Sequence, residues 1–420
     1  MEMVDKMKSL SQSKTGTRIA SVHNGSSLFT GDAGGGESNI RRHIIENDWL
    51  EAIVQLPNNL FYNTGITTYI WILSNNKTAK RKGKVQLIDA GQLYRKLRKN
   101  LGNKNCRFSP KHITKIVNTY TNMSVAEREG EQGISAQVFD NTDFGYYKAT
   151  IERPKRLKAQ FTVERIESLR YDRVLQEPMQ YAFETFGESI YTNTVKHGKD
   201  ILEWCEKNEL NLSSANKTKL TKPATWQKHL NLVKTGTVLL KAIGEAEYTN
   251  FNDFKKLVDA EIKKQKLSIS ASDKKAILNA VSWYNADAEK VIKKVEKLAG
   301  DKLSKLLEYL DCEENDLADF GYYATSKKGE YITYETESDL RDTENVPLKD
   351  NIHSYFLREV KPHVNEAWIN LDATKIGYEI SFNKYFYKHT PLRNIEAVTK
   401  DIVDLEKLSD GLIAEILNLV

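Results

Sequence analysis

Four short apolar runs punctuate the first ninety residues: "RIASV", "EAIVQL", "TTYIWIL" and "VQLIDA". Each is short enough for a strand and too continuous for a strand with one wet face, so they belong in a sheet buried on both sides. Between the first two, Ile40, Ile44, Ile45 and Trp49 recur at helical spacing, with Ser38 placed to cap the helix. Residues 1–12 read as a helix broken at Gly16, and Thr17–Asn24 as a strand ending before a glycine-rich loop, "GDAGGGES". Strand, helix, strand, strand predicts an α/β sheet over residues 1–90.

Beyond residue 91 the pattern turns charged, and from about 195 to 310 it is rich in lysine, glutamate and leucine, which predicts a largely helical layer. The pentapeptide "DFGYY" occurs at Asp143–Tyr147 and again at Asp319–Tyr323. Without matching flanks, it does not establish a duplication. Ile395, Val398, Ile402, Leu405, Leu408, Leu412, Ile416 and Leu419 fall on one face of a C-terminal helix, a stripe suited to packing at home or on a partner helix. Four segments follow: 1–90, the α/β part; 91–160, a basic connecting segment that completes it; 161–345, mostly helical; and 346–420, a C-terminal segment and helix.

Composition narrows the class. With 40% hydrophobic and 28% charged residues the chain is ordinary for a globular protein, and no apolar run approaches the roughly 20 residues of a membrane helix. Cys106, Cys205 and Cys312 stand far apart without a CxxC pair, which speaks against a disulfide framework or a zinc site and for a reducing cytoplasm. The net charge is only +5, but between Lys77 and Arg107 eleven basic residues face a single acid, Asp89. Such clustering suits a polyanion, since each neutralised phosphate releases counterions, and a solvated lysine-rich surface would look the same.

Reactive chemistry is sparse. No Ser/His/Asp spacing stands out, and "GDAGGGES" is neither G-x-G-x-x-G nor a P-loop, so it reads as a connection. The most distinctive stretch is "LPNNLFYNTGITTYIWIL", which sets Phe61, Tyr62 and Asn63 on a loop between two buried strands. On the residues alone, Phe61 suits a plug at the end of the sheet.

Residues 18–90 resemble the modification (M) subunit of type I restriction–modification systems, an adenine-N6 DNA methyltransferase. The blocks carrying the resemblance are "NGSSLFTGDAGGGESNIRRHIIENDWLEAIVQLPNNLFYNTGITTYIWIL" with "RKGKVQLIDA", then "DFGYYKATIERPKRL", then "DTENVPL" with "VKPHVNEAWI" and "IGYEISFNKYFY". It implies the C-terminal half of a class I (Rossmann-like) methyltransferase sheet, with "RIASVHN" as its fifth strand, followed by a largely α-helical region. The family's glycine-rich cofactor turn and its Asn/Asp-Pro-Pro-Tyr/Phe catalytic tetrapeptide do not occur here; the chain has no Pro-Pro pair. S-adenosylmethionine is thus the family's cofactor without its binding motif, no catalytic residue and no metal ligand is expected, and the chain alone is expected to be inactive.

The resemblance also gives the loop a task. An enzyme acting on a base inside a duplex flips it out and holds it by stacking. In related adenine methyltransferases the loop between the sixth and seventh strands supplies the ring, which here implies Phe61, or Tyr62, with Asn63, Thr64 and Gly65 shaping the turn. Lys82, Lys84, Arg95, Lys96, Arg98 and Lys99 are the phosphate candidates. Implied partners are DNA, the specificity (S) subunit, a second M subunit, the restriction subunit and an upstream chain carrying the missing half, with subunit docking falling to residues 346–420. The competing expectation is a non-catalytic DNA- and subunit-binding module from a truncated or split gene.

Overall fold

The apolar runs become the strands of one mixed sheet. In the computed structural model they are β1 (Arg18–Asn24), β2 (Leu50–Gln55), β3 (Thr68–Ser74) and β4 (Lys84–Asp89), joined by β7 (Ser135–Asp140). A helix, α1 (Gly36–Glu46), links β1 to β2, and a two-stranded hairpin, β5 (Arg95–Leu101) with β6 (Lys104–Arg107), follows β4. Residues 1–130, 132–387, 392 and 394–417 are described, of 410–417 only the helical backbone.

The strand order is β1-β3-β2-β4-β7. β3 runs antiparallel between β1 and β2, and β2 is parallel to β4. The sheet is therefore α/β with its late, reversed strand inserted between two earlier parallel ones. β2 and β4 are buried nearly throughout, because Ile53, Val54, Leu87 and Ile88 meet apolar side chains on both faces. β1 forms one edge; its outer side has no partner among the described strands, and Val22 there is half exposed.

Polar groups hold the core to its surroundings. The carboxylate of Glu51 is fully buried and accepts hydrogen bonds from Arg18 Nε at 3.2 Å and from the Tyr120 hydroxyl at 2.5 Å. Arg81, also buried, donates to the Glu51 carbonyl and to Gln86, with its guanidinium 4.4 Å over the Tyr120 ring. Lys77 is buried against Asp48 at 2.6 Å. Two lysine-rich-surface candidates, Lys77 and Arg81, are thus structural cations.

Several local expectations need correction. Residues 1–12 form only one helical turn, Glu2–Asp5, with Val4 and Met7 packed partly against the sheet core. The helix after the glycine loop begins at Gly36 with Gly35 as its cap, so Ser38 lies inside it; the Ser38 hydroxyl instead accepts from the Tyr378 backbone N–H at 3.0 Å. Within the region read as helical, Ser282–Tyr284 and Ile292–Lys297 are strands, the latter paired antiparallel with Glu330–Tyr334.

The chain divides into two compact units: residues 1–146, 347–349 and 376–420, and residues 147–346 and 350–375. The second carries the helices between Val163 and Ala280, packed in two clusters, one around Phe161, Leu232, Phe254 and Ile277 and the other around Met179, Ile201 and Trp226. The two "DFGYY" copies differ in conformation: Gly145 is extended at φ −99°, whereas Gly321 is left-handed at φ 85°. They are not equivalent turns. The C-terminal helix, Ile395–Leu417, belongs to the first unit and exposes Ile395, Ile402, Leu405 and Leu408. The side chains of Leu412 and Ile416, and Leu419 altogether, lie outside the described residues.

Candidate nucleic-acid interface

β2 and β4 are parallel, with Gln55 opposite Asp89, so the segments leaving both strands emerge at the same edge of the sheet. One is the loop Leu56–Thr67 and the other leads into the β5–β6 hairpin. The loop is closed at its neck by the Leu56 N–H on the Thr68 carbonyl, 2.8 Å, and by a short hydrogen bond from Thr67 Oγ1 to Asn58 Oδ1. Asn59 takes the left-handed conformation, φ 55°, one of the residue types that does so at modest cost. Leu60 then turns inward and joins Val54, Leu56, Ile88, Leu93 and Cys106 in the core.

Leu60, and not Phe61, is therefore the plug at the sheet end. Leu60 is 9% exposed, while Phe61 is 38% and Tyr62 59% exposed, both outside the core. The backbone folds back with a bridge between Phe61 and Thr64, and the Thr64 hydroxyl accepts from the Ile66 N–H at 3.4 Å. Gly65 does not serve through a left-handed φ: a Cβ there would stand 2.7 Å from Asn59 Oδ1, the end of a side chain, which would have to turn aside. Asn63 is exposed at the crown of the loop.

The hairpin lies against this loop along β6. The Asn105 N–H donates to the Asn59 carbonyl at 3.1 Å and the Asn103 N–H to the Tyr62 carbonyl at 2.9 Å. Lys104 Nζ donates to the Leu60 carbonyl at 2.5 Å and sits 5.6 Å from the centre of the Tyr62 ring. At the turn, Gly102 has φ 61°, and a Cβ would lie 2.7 Å from the Tyr62 carbonyl oxygen. Beyond β6, β5 exposes Arg95, Lys96, Arg98 and Lys99, and among the described residues none of the four makes an ion pair. An aromatic tip and a cationic strand thus form one surface.

Lys82 and Lys84 are not part of it. Lys82 precedes β4 and Lys84 is its first residue, so both lie at the opposite end of the strand, about five residues or roughly 17 Å from Asp89. The hairpin itself escaped the sequence reading, because "RKLRKNL" lacks the β-branched residues that mark strands. Its signal was the Gly102-Asn103 pair, a two-residue hairpin turn.

The glycine loop does not form a cofactor cradle. In the glycine loop the Ala33 N–H is taken by Asp32 Oδ1, the Gly35 N–H by the Asp32 carbonyl and the Gly34 N–H by the Ile376 carbonyl. These amides are occupied, so the residues present do not fit S-adenosylmethionine there. In the second unit Asp316, Asp319 and His353 are close enough to share an ion, but Asp319 already pairs with His353 at 3.0 Å and Lys361 at 2.8 Å.

A sequence model of the N-6 DNA methylase family matches residues 7–156. That stretch is similar to the N-6 DNA methylase family and to methylase subunits of type I restriction enzymes. It is 37% identical over 105 residues to the type I restriction enzyme MjaVII methylase subunit of Methanocaldococcus jannaschii, covering 25% of this chain and 17% of that protein. It is 51% identical over 57 residues to the HindI methylase subunit of Haemophilus influenzae, 14% of this chain and 12% of that one. The matched stretches thus span less than a fifth of either relative. Among solved structures, the methyltransferase subunit of a type I system from Streptococcus thermophilus aligns at 26% identity, with 30% of this chain, 24% of that chain and a TM-score of 0.25. The third sequence block, from Asp342, lies beyond the matched residues.

Proposed function

We propose that this chain is the DNA-gripping component of a type I restriction–modification methyltransferase, which methylates adenine N6 with S-adenosylmethionine as methyl donor. The observation that carries it is the exposed Phe61–Tyr62 tip held beside the cationic strand β5. A flipped adenine would stack on Phe61, with Tyr62 beside it, while Arg95, Lys96, Arg98 and Lys99 neutralise flanking phosphates. Asn63, Thr64 and Gly65 shape the loop that presents the ring.

Transfer of the methyl group would need the tetrapeptide that orients the adenine amino group, which these 420 residues do not contain. A polypeptide segment bearing it would complete the centre, and the chain's own part is positioning: holding the extruded base and fixing the duplex around it. The exposed stripe Ile395–Leu408 of the C-terminal helix supports docking on a further subunit, with the specificity subunit as the partner implied by kinship. No described helix is long and apolar enough to cross a membrane, and the three thiols are free, in keeping with action in the cytoplasm.

The test is tritiated methyl transfer to DNA by the complex of this chain with the other polypeptides of its system. Phe61→Ala should lower turnover while cofactor binding stays intact. Equal losses in both, or full turnover in a complex lacking this chain, would contradict the assignment.

A further inference from the structure

On the surface just described, the backbone on either side of Phe61 is tied to the hairpin. Both residues flanking it are held by the same two-stranded element: the Leu60 carbonyl by Lys104 Nζ at 2.5 Å, and the Tyr62 carbonyl by the Asn103 N–H at 2.9 Å. Lys104 also lies 5.6 Å from the Tyr62 ring centre, within range of a cation–π attraction. One further rung, the Asn105 N–H on the Asn59 carbonyl, extends this pairing. The turn is fitted to the loop by Gly102, where any side chain would strike the Tyr62 carbonyl.

β6 therefore faces the loop, while β5, paired to β6 through Arg95–Arg107 and Lys96–Cys106, carries the cations. A force applied at β5 reaches the carbonyls either side of Phe61 through two layers of hydrogen bonds. We propose that the hairpin couples phosphate contact to base contact, with Lys104 as the positioning residue that ties the two. This rests on the proposed function, in which Phe61 stacks on an extruded base and β5 meets phosphates. It adds that the two contacts are cooperative, and that Lys104 acts through Leu60 and Tyr62 without itself touching DNA.

A double-mutant cycle on the full chain tests it, with binding to a labelled duplex carrying one mispaired adenine read by fluorescence anisotropy. The variants are Phe61→Ala, Arg98→Gln with Lys99→Gln, and all three together. Coupled sites make the combined loss fall short of the product of the separate losses by at least about twofold. In a Lys104→Met background the losses should become multiplicative, whereas Lys104→Arg, which keeps a cation and donors, should preserve the shortfall. Thermal unfolding of each variant separates this from a general loss of fold. Should Lys104→Met not fold, the cycle in the unaltered background still decides.

Multiplicative losses in that background would overturn the coupling and leave the stacking assignment standing. Binding indifferent to Phe61→Ala would overturn both.

Discussion

Neutralising the β5 cations gives the sharpest quantitative expectation. Arg95, Lys96, Arg98 and Lys99 are exposed and free of ion pairs among the described residues, so replacing them with glutamine removes charge without stranding a partner. Each phosphate contact contributes about 0.9 to the slope of log affinity against log salt on duplex DNA, so four contacts are worth about 3.6. Between 50 and 150 mM salt the unaltered chain should then lose about fifty-fold more affinity than the quadruple variant. Anisotropy titrations at four or five salt concentrations measure both slopes. Lys82→Gln with Lys84→Gln, at the far end of β4, is the control and should leave the slope unchanged. If the quadruple variant keeps the original slope, or the control flattens it equally, the cationic strand is not where DNA lies.

Base stacking on an aromatic side chain is worth about 1–3 kcal/mol, so Phe61→Ala should weaken binding to a mispaired duplex by about 5- to 150-fold, with Phe61→Trp retaining most of it. A loss confined to Tyr62→Ala would move the stacking role one residue along. In the core, Glu51→Ala leaves the Tyr120 hydroxyl and Arg18 without their acceptor. Because Arg18 can turn to water, the expected cost is about 2–3 kcal/mol in urea unfolding, and a loss under about 0.5 kcal/mol would refute a structural role. Asp48 sets a pH dependence: burial pushes its carboxyl up, but hydrogen bonds from Lys77, the Gly83 N–H and Asn141 outweigh that and hold it below the ordinary value. Its contribution is full above the unfolded-state value of about 3.9 and is lost as pH falls through the lower folded value. Asp48→Asn should therefore flatten the acid limb of stability below about pH 4, and an unchanged limb would count against it.

The sheet was legible because its strands are nearly pure apolar runs, and a strand buried on both faces has few other ways to read. Leu50–Gln55, Thr68–Ser74 and Lys84–Asp89 each fall within a residue or two of the run that marks them. The candidate site was half legible. Phe61 and Tyr62 stood out by their place between two such runs, and the basic residues by density. That Arg95–Lys99 would follow β4 on the loop's side of the sheet while Lys82 and Lys84 would not depends on which end of β4 each lies at, a matter of strand direction. Composition carries no such information. Leu60 as the inward anchor was equally hidden, since "LFY" offers three apolar side chains and only the backbone turn at Asn59 decides which one faces the core. Ser38 shows the converse: a good capping residue was drawn two residues inside its helix to bond the Tyr378 backbone, a contact 340 residues away along the chain.

The central claim is that the exposed aromatic tip grips an unstacked base beside a phosphate-holding strand. The most direct measurement is photo-cross-linking of the full chain to a duplex carrying 5-iodouracil at a single mispaired position, with the adduct mapped by mass spectrometry. Adducts on Phe61 or Tyr62, abolished by competitor duplex, are the predicted result. Adducts confined to the Lys82–Lys84 end of β4, or to the second unit, would contradict it.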